Sequence, residues 1–212
     1  PAADREAARR PGAPLPDPLP DPQLHVAPSR VAEVAAKYQI AAGRPLIVLC
    51  PGAEYGPAKR WPAEYFVQLS ELVQQSFPYA QIVVLGGPKD HEIGAQIAAG
   101  APGVRNLCGE TRLDEAAALL ARAEAAICND SGLMHVCAAL NRPQIAIFGS
   151  SDPRHTPPHS DRATVFWLKL DCSPCFAREC PQGHLRCLRE IAPAEVFVAL
   201  RQLLLPAARN DV

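Results

Sequence analysis

Short runs of wholly apolar residues recur along this chain, and each leads through a polar turn into a stretch of helical period. Leu46–Cys50 is the plainest, with five consecutive apolar residues and none of the alternation a half-exposed strand shows. Such a run suits a parallel strand covered by helices on both faces. Gln81–Leu85, Val104–Cys108, Ala125–Cys128, Gln144–Phe148 and Thr164–Leu168 read as further strands. Between them, Ala63–Ser76 carries Tyr65, Phe66, Leu69, Leu72 and Val73 at helical spacing. His91–Ala99, Leu113–Ala123 and Pro193–Leu205 read as helices, the last with proline in the first turn, where its missing N–H costs nothing. Repeated strand–helix units of this length predict an α/β fold with a Rossmann-like, doubly wound parallel sheet.

With 212 residues and 48% hydrophobic content, the chain can bury a core of ordinary size. A formal net charge of -1 gives no electrostatic reason to expect a nucleic-acid partner. No apolar run approaches the roughly 20 residues of a membrane span, and no basic-then-apolar signal opens the chain. A cytoplasmic protein is expected. Up to residue 28 the prolines are too dense for a helix or central strand, which reads as a linker. Ser29 is placed to cap a short helix from Val31 to Tyr38.

The eight cysteines divide into two groups. Cys50, Cys108, Cys128 and Cys137 fall in apolar elements, where cysteine acts as a small hydrophobe. Cys172, Cys175, Cys180 and Cys187 crowd one loop with His184 among them. Only the Cys172-x2-Cys175 spacing fits a paired zinc-ligand pattern, so a structural metal, a disulfide and plain thiols all stay open, with thiols favoured by a reducing compartment.

In doubly wound sheets ligands gather at the carboxyl ends of the strands. That rule places three polar turns on one edge: the loop after Cys50, the segment after Leu85, and Asn129-Asp130-Ser131-Gly132 after Cys128. The third leads directly into a helix, whose first amide N–H groups have no intrahelical partner and form a ready anion site. Ser131 can donate a hydroxyl, Gly132 admits close approach, and His135 lies one turn on along the same face. An ordinary N-cap and a structural histidine would give the same letters. Lys59, in a Gly- and Pro-rich loop beside Arg60 and Trp61, suits a cation held at a phosphate, although most lysines are simply solvated. Glu92 can accept from a ribose diol, or merely favour a helix start. Asp130 repels phosphate and suits sugar hydroxyls. Lys59, Glu92 and the Asp130–His135 group are expected to converge. No Gly-x-Gly-x-x-Gly follows the first strand and no Gly-x-x-x-x-Gly-Lys-Ser/Thr occurs, which removes the fingerprints of dinucleotide-binding and P-loop folds.

Four segments carry a family resemblance: Pro-Gly-Ala-Glu-Tyr-Gly-Pro-Ala-Lys-Arg-Trp-Pro (51 to 62), Lys-Asp-His-Glu (89 to 92), Asn-Asp-Ser-Gly-Leu-Met-His (129 to 135) and Asn-Arg-Pro (141 to 143). Over residues 46 to 205 the chain resembles the ADP-heptose:lipopolysaccharide heptosyltransferases of glycosyltransferase family 9, their heptosyltransferase II branch most of all. The resemblance implies one lobe of a GT-B glycosyltransferase, the carboxyl-terminal lobe that holds the nucleotide-sugar donor. By position, Lys59 would bind the donor diphosphate, and Ser131, Gly132 and the helix start would complete its cradle. Asp130 would hold heptose hydroxyls, His135 would support the phosphate or sugar, and Glu92 would bind the adenosine ribose.

The implied reaction inverts the anomeric centre in one displacement, passing heptose from ADP-L-glycero-D-manno-heptose to the heptosyl-Kdo2-lipid A inner core of lipopolysaccharide. It needs no cofactor or metal, and no metal role for the cysteine loop carries over. No catalytic residue is assigned here, because the general base belongs to the acceptor-binding amino-terminal lobe, which has no counterpart in this chain. Residues 1–45 would then be the interdomain linker and the edge of that lobe, and 46–212 the donor domain with its cysteine-rich loop at 171–188. The expected partners are the nucleotide sugar and, through the other lobe, the lipopolysaccharide acceptor, at the cytoplasmic face of the inner membrane, with room for peripheral membrane association. Alone, the chain is expected to bind donor and transfer nothing. Two alternatives are a non-catalytic nucleotide-binding module and another nucleotide-sugar enzyme, such as an epimerase.

Overall fold

The apolar runs form the strands β1 (Leu46–Cys50), β2 (Gln81–Val84), β3 (Val104–Asn106), β4 (Ala125–Asn129), β5 (Gln144–Ile147) and β6 (Ala163–Phe166). In the computed structural model, which describes residues 20–204, they make one sheet of order β3-β2-β1-β4-β5-β6. Every neighbouring pair is parallel. All five residues of β1 and of β4 are buried, as the apolar runs Leu46–Cys50 and Ala125–Cys128 require.

The helices are α1 (Pro28–Lys37), α2 (Ala63–Ser76), α3 (His91–Gly100), α4 (Leu113–Arg122), α5 (Gly132–Ala139), α6 (Arg186–Arg189) and α7 (Pro193–Leu204). Alternation along β1 divides the core in two. Ile47 and Leu49 pack with Trp61, Phe66, Leu69 and Leu200 on one face, while Leu46, Val48 and Cys50 pack with Val34, Leu119 and Met134 on the other.

The sequence expectations need three corrections. The boundary at 46 falls inside the packed unit, because α1 lies on the sheet with Val34 and Tyr38 buried. Arg30 bonds Asp114 at 2.8 Å and Lys37 bonds Glu115 at 2.6 Å, so residues 28–45 belong to this domain. The sequence reading had the helix but assigned it to the linker, because its packing on the sheet depends on partners in a distant helix. Ser29 does not cap this helix: Ala27 holds the N-cap position and Pro28 begins the first turn. The expected β2, β3, β5 and β6 ran past the ladder by one or two residues. Leu85 and Phe148 are still buried and still donate to Leu49 and Phe166, which is the usual ambiguity of element ends. The start of the linker and the last residue of the closing helix lie outside the described residues.

Candidate functional site

From β1 the sheet continues through β2 to β3, and from β4 it continues the other way to β5 and β6. Connections on the two sides diverge, and a crevice opens over the carboxyl ends where the order switches. Register sharpens this, since Cys50 stands opposite Cys128, and the loops leaving β1 and β4 start level.

Asn129, the fully buried last residue of β4, ties those loops together. Its side-chain amide donates to the Pro51 carbonyl at 2.7 Å and its oxygen accepts the Trp61 N–H at 3.1 Å. One side chain therefore pins both ends of the loop 51–62. Trp61 is itself buried, donates from Nε1 to the Ile191 carbonyl at 3.0 Å, and meets Phe66 edge-on at 4.9 Å. Between these anchors a single 3-10 turn, Pro57–Lys59, delivers Lys59 to the crevice.

There the Lys59 Nζ bonds Asp130 Oδ2 at 2.6 Å. The Asp130 side chain is 4% exposed and that of Lys59 is 17% exposed. Ser151 donates to the same carboxylate oxygen at 2.5 Å, and Thr156 approaches it at 3.5 Å. The sequence reading gave Asp130 to sugar hydroxyls; here its carboxylate holds the lysine. An ammonium has three donors, so Lys59 can keep Asp130 and still offer an N–H to a ligand oxygen. Tyr55 contributes its ring face, 5.3 Å from the Lys59 Nζ.

Beside this pair lies an open cavity of about 430 Å³, walled by Leu85, Leu113 and Leu133 and rimmed by Asp90, Ser131 and Gly132. It falls in the size range of small-molecule sites. Ser131 occupies the N-cap position of α5 but makes no side-chain capping bond, so its hydroxyl is not spent on the helix. A Cβ placed on Gly132 would meet nothing within 4 Å, which leaves the first turn of α5 open to a ligand.

The structure thus brings Lys59 and Asp130 into contact and puts Ser131 and Gly132 on the rim of the adjoining cavity. It does not bring Glu92 there: Glu92 is exposed in the first turn of α3 and is not among the lining residues. Asp90, two residues earlier, lines the cavity, and its Oδ2 accepts the Gly87 N–H at 2.9 Å. The fit there is close, because a Cβ on Gly52 would stand 2.4 Å from that carboxylate oxygen. His135 is also exposed and outside the lining. Partial desolvation lowers its pKa below 6.5, against the opposing pull of Asp130, so the ring is chiefly neutral at neutral pH.

Three contributors went unread in the sequence: Asn129 as the brace, and Ser151 and Thr156 as partners of Asp130. Gly149-Ser150-Ser151-Asp152 follows β5 at the same edge, and the rule that selected the other turns could have selected it. The cysteine-rich loop also reaches the site. Arg178 offers its carbonyl to the Ala58 N–H at 3.0 Å, and the Tyr55 hydroxyl donates to the Phe176 carbonyl at 2.7 Å.

Comparison with known proteins follows this geometry. A family profile described as glycosyltransferase family 9 (heptosyltransferase) matches residues 5–186. Lipopolysaccharide heptosyltransferase 2 of Escherichia coli K12 is 41% identical over 197 residues, covering 90% of this chain and 56% of the relative. Lipooligosaccharide heptosyltransferase 2 of Haemophilus influenzae Rd is 42% identical over 199 residues, covering 88% and 56%. The solved E. coli ADP-heptose lps heptosyltransferase II superposes with a TM-score of 0.78 at 41% identity, over 90% of this chain and 55% of that one. The chain therefore spans a little over half the length of the relatives it matches. With the family profile spanning most of its length, the chain belongs to glycosyltransferase family 9, the heptosyltransferases.

Proposed function

We propose that this chain is the donor-binding half of an inverting heptosyltransferase, which takes heptose from ADP-L-glycero-D-manno-heptose and places it on the heptosylated Kdo2-lipid A inner core of lipopolysaccharide. The observation that carries the reading is the Lys59–Asp130 pair, held at 2.6 Å beside the open first turn of α5. Lys59 and Asp130 stand outside the cavity lining, but Asp130 directly precedes Ser131 and Gly132 on its rim, and a cation held next to a helix N-terminus suits a pyrophosphate. The names of the relatives supply the sugar and the acceptor.

In the proposed step an acceptor hydroxyl attacks the anomeric carbon, the bond from that carbon to the diphosphate oxygen breaks, and ADP departs carrying the new negative charge. Lys59 and the α5 amides are set to stabilise that charge as it grows, the role of a preorganised electrostatic site. Asp130 orients Lys59, Ser131 donates to a phosphate oxygen, and Gly132 keeps the approach clear. The hydroxyl's proton goes to a general base on an acceptor lobe outside this chain. No metal enters the displacement. The setting proposed is the cytoplasmic face of the inner membrane; among the described residues no helix is long and apolar enough to cross a membrane.

Calorimetric titration with ADP-heptose, ADP, UDP and NAD tests the reading. ADP and ADP-heptose should bind ahead of UDP and NAD. Lys59→Ala should weaken ADP roughly 10- to 100-fold, the equivalent of one charge-assisted hydrogen bond of about 1.5–3 kcal/mol. Unchanged ADP affinity in that variant removes Lys59 from the site, and a preference for UDP or NAD overturns the donor. Heptosyl transfer by this chain alone would refute its being only the donor half.

A further inference from the structure

Past Lys59, the carboxyl edge of the sheet carries a run of aromatic rings and cations, none of which lines the donor cavity. Tyr55, from the loop after β1, is 42% exposed, and Phe176, from the cysteine-rich loop, is 48% exposed. The Tyr55 ring has the Lys59 Nζ at 5.3 Å and the Arg178 guanidinium at 5.5 Å. His155, from the loop after β5, stacks on the Phe176 ring at 5.8 Å. Its chain neighbour Arg154 stands 5.4 Å from the ring of Trp167, which follows β6, and the Lys169 Nζ stands 5.2 Å from that same ring. The ends of β1, β5 and β6 thus supply one belt.

Three features of the belt point to a ligand. Phe176 and Lys169 both hold left-handed backbone, at φ 53° and 51°, which is costly for residues with a side chain and concentrates at functional sites. Phe176 is fixed there by its N–H donating to the Ser150 carbonyl and its carbonyl accepting the Tyr55 hydroxyl, each at 2.7 Å, so a bulky ring is held out in solvent. Charge is also left over. Arg154 is engaged by Asp152 through two parallel bonds, and Glu54, whose carboxyl feels Arg178, is bonded to Lys89. Arg178 and Lys169 have no ion-pair partner among the described residues, the exposed Asp171 and Glu179 included. Finally, the Trp167 Nε1–H is buried and has no acceptor among the described residues, a donor left open beside two cations. Aromatic faces take the C–H faces of sugar rings, and unpaired cations take carboxylates or phosphates. We propose that this belt is a second binding site, for an acidic saccharide. Resting on the function proposed above, that saccharide is the carboxylate-bearing Kdo portion of the acceptor, so the donor half itself contributes to acceptor binding.

Saturation-transfer NMR on the chain without nucleotide tests this, with delipidated heptosyl-Kdo2 oligosaccharide as the probe. The oligosaccharide should bind, and reducing its carboxylates to alcohols should weaken binding at least fivefold. Lys169→Gln with Arg178→Gln, both at exposed positions, should weaken it at least fivefold, and Phe176→Ala at least threefold. Lys169→Gln should leave ADP affinity within twofold, since Lys169 is outside the donor cavity. Failure of the oligosaccharide to bind, or equal binding of the reduced form, overturns the proposal whatever the nucleotide titration gives. So does binding to phosphatidylglycerol vesicles, lost in the double variant, with no binding of the oligosaccharide, since that assigns the belt to a membrane surface. Oligosaccharide binding weakened by these substitutions, together with a preference for UDP over ADP, would uphold the belt and refute the donor.

Discussion

Replacing Asp130 by Asn keeps the shape of the side chain and removes the charge that Lys59 faces at 2.6 Å. At an effective dielectric of about 20, unit charges at that separation attract by about 6 kcal/mol before desolvation is counted. Taking both groups out of water returns much of this, and breaking a fully buried pair from one side costs about 3–5 kcal/mol. Lys59 keeps 17% of its side chain in solvent, so the stranded ammonium recovers some hydration, and Asp130→Asn should cost about 2–3 kcal/mol. Lys59→Met strands a carboxylate only 4% exposed, which retains Ser151 and Thr156 as donors, and should cost a similar amount. The double variant strands no charge. A double-mutant cycle by urea unfolding at neutral pH, read as midpoint shifts at constant slope, should therefore give a coupling energy of about 2 kcal/mol. Because the pair is largely screened from bulk water, that coupling should survive high salt. Single effects that add to within about 0.5 kcal/mol, as independent sites do, would refute the assignment of Asp130 as the residue that holds Lys59.

Two further outcomes test the surroundings. A Cβ at Gly56 would stand 2.5 Å from the Arg178 carbonyl oxygen, a backbone atom already accepting from Ala58; Gly56→Ala should cost about 1–3 kcal/mol as an overpacked contact and weaken ADP binding, and retention of both by calorimetry and urea unfolding would show that the clamp is dispensable. Glu115 is held down to about 2 from 4.5 by its hydrogen bond to Lys37 first, and then by the Arg112 backbone N–H. Because the folded value is depressed, its contribution is complete above pH 4.5 and is lost as the pH falls towards 2. Melting temperatures over that window should fall less steeply for Glu115→Gln than for the parent chain, and equal slopes would remove Glu115 from the account.

Much of the architecture was legible in order along the chain. Ala63–Ser76 was read to the residue because its helical period, Pro62 before it and Pro78 after it are all local features. The wholly apolar β1 and the Ala125–Cys128 run of β4 announced a two-sided cover for the same reason. Side-chain function was less legible wherever it depended on a distant partner. Asp130 reads as a free acid until Lys59, Ser151 and Thr156 arrive from other loops. Glu92 and Asp90 are two letters apart, yet only Asp90 is turned into the cavity, towards the N–H of Gly87. The four loop cysteines gave an irregular spacing, and only the fold put them around one space.

Helix period, apolar runs and turn chemistry are properties of neighbouring residues, so the sequence by itself determined the elements, their parallel packing and the kinds of group available at one edge of the sheet. Which strand lies beside which is settled by burying apolar faces contributed from across the chain. That pairing, with β1 against β4 and Cys50 level with Cys128, is what only the tertiary structure decided, and through it the meeting of Lys59 with Asp130.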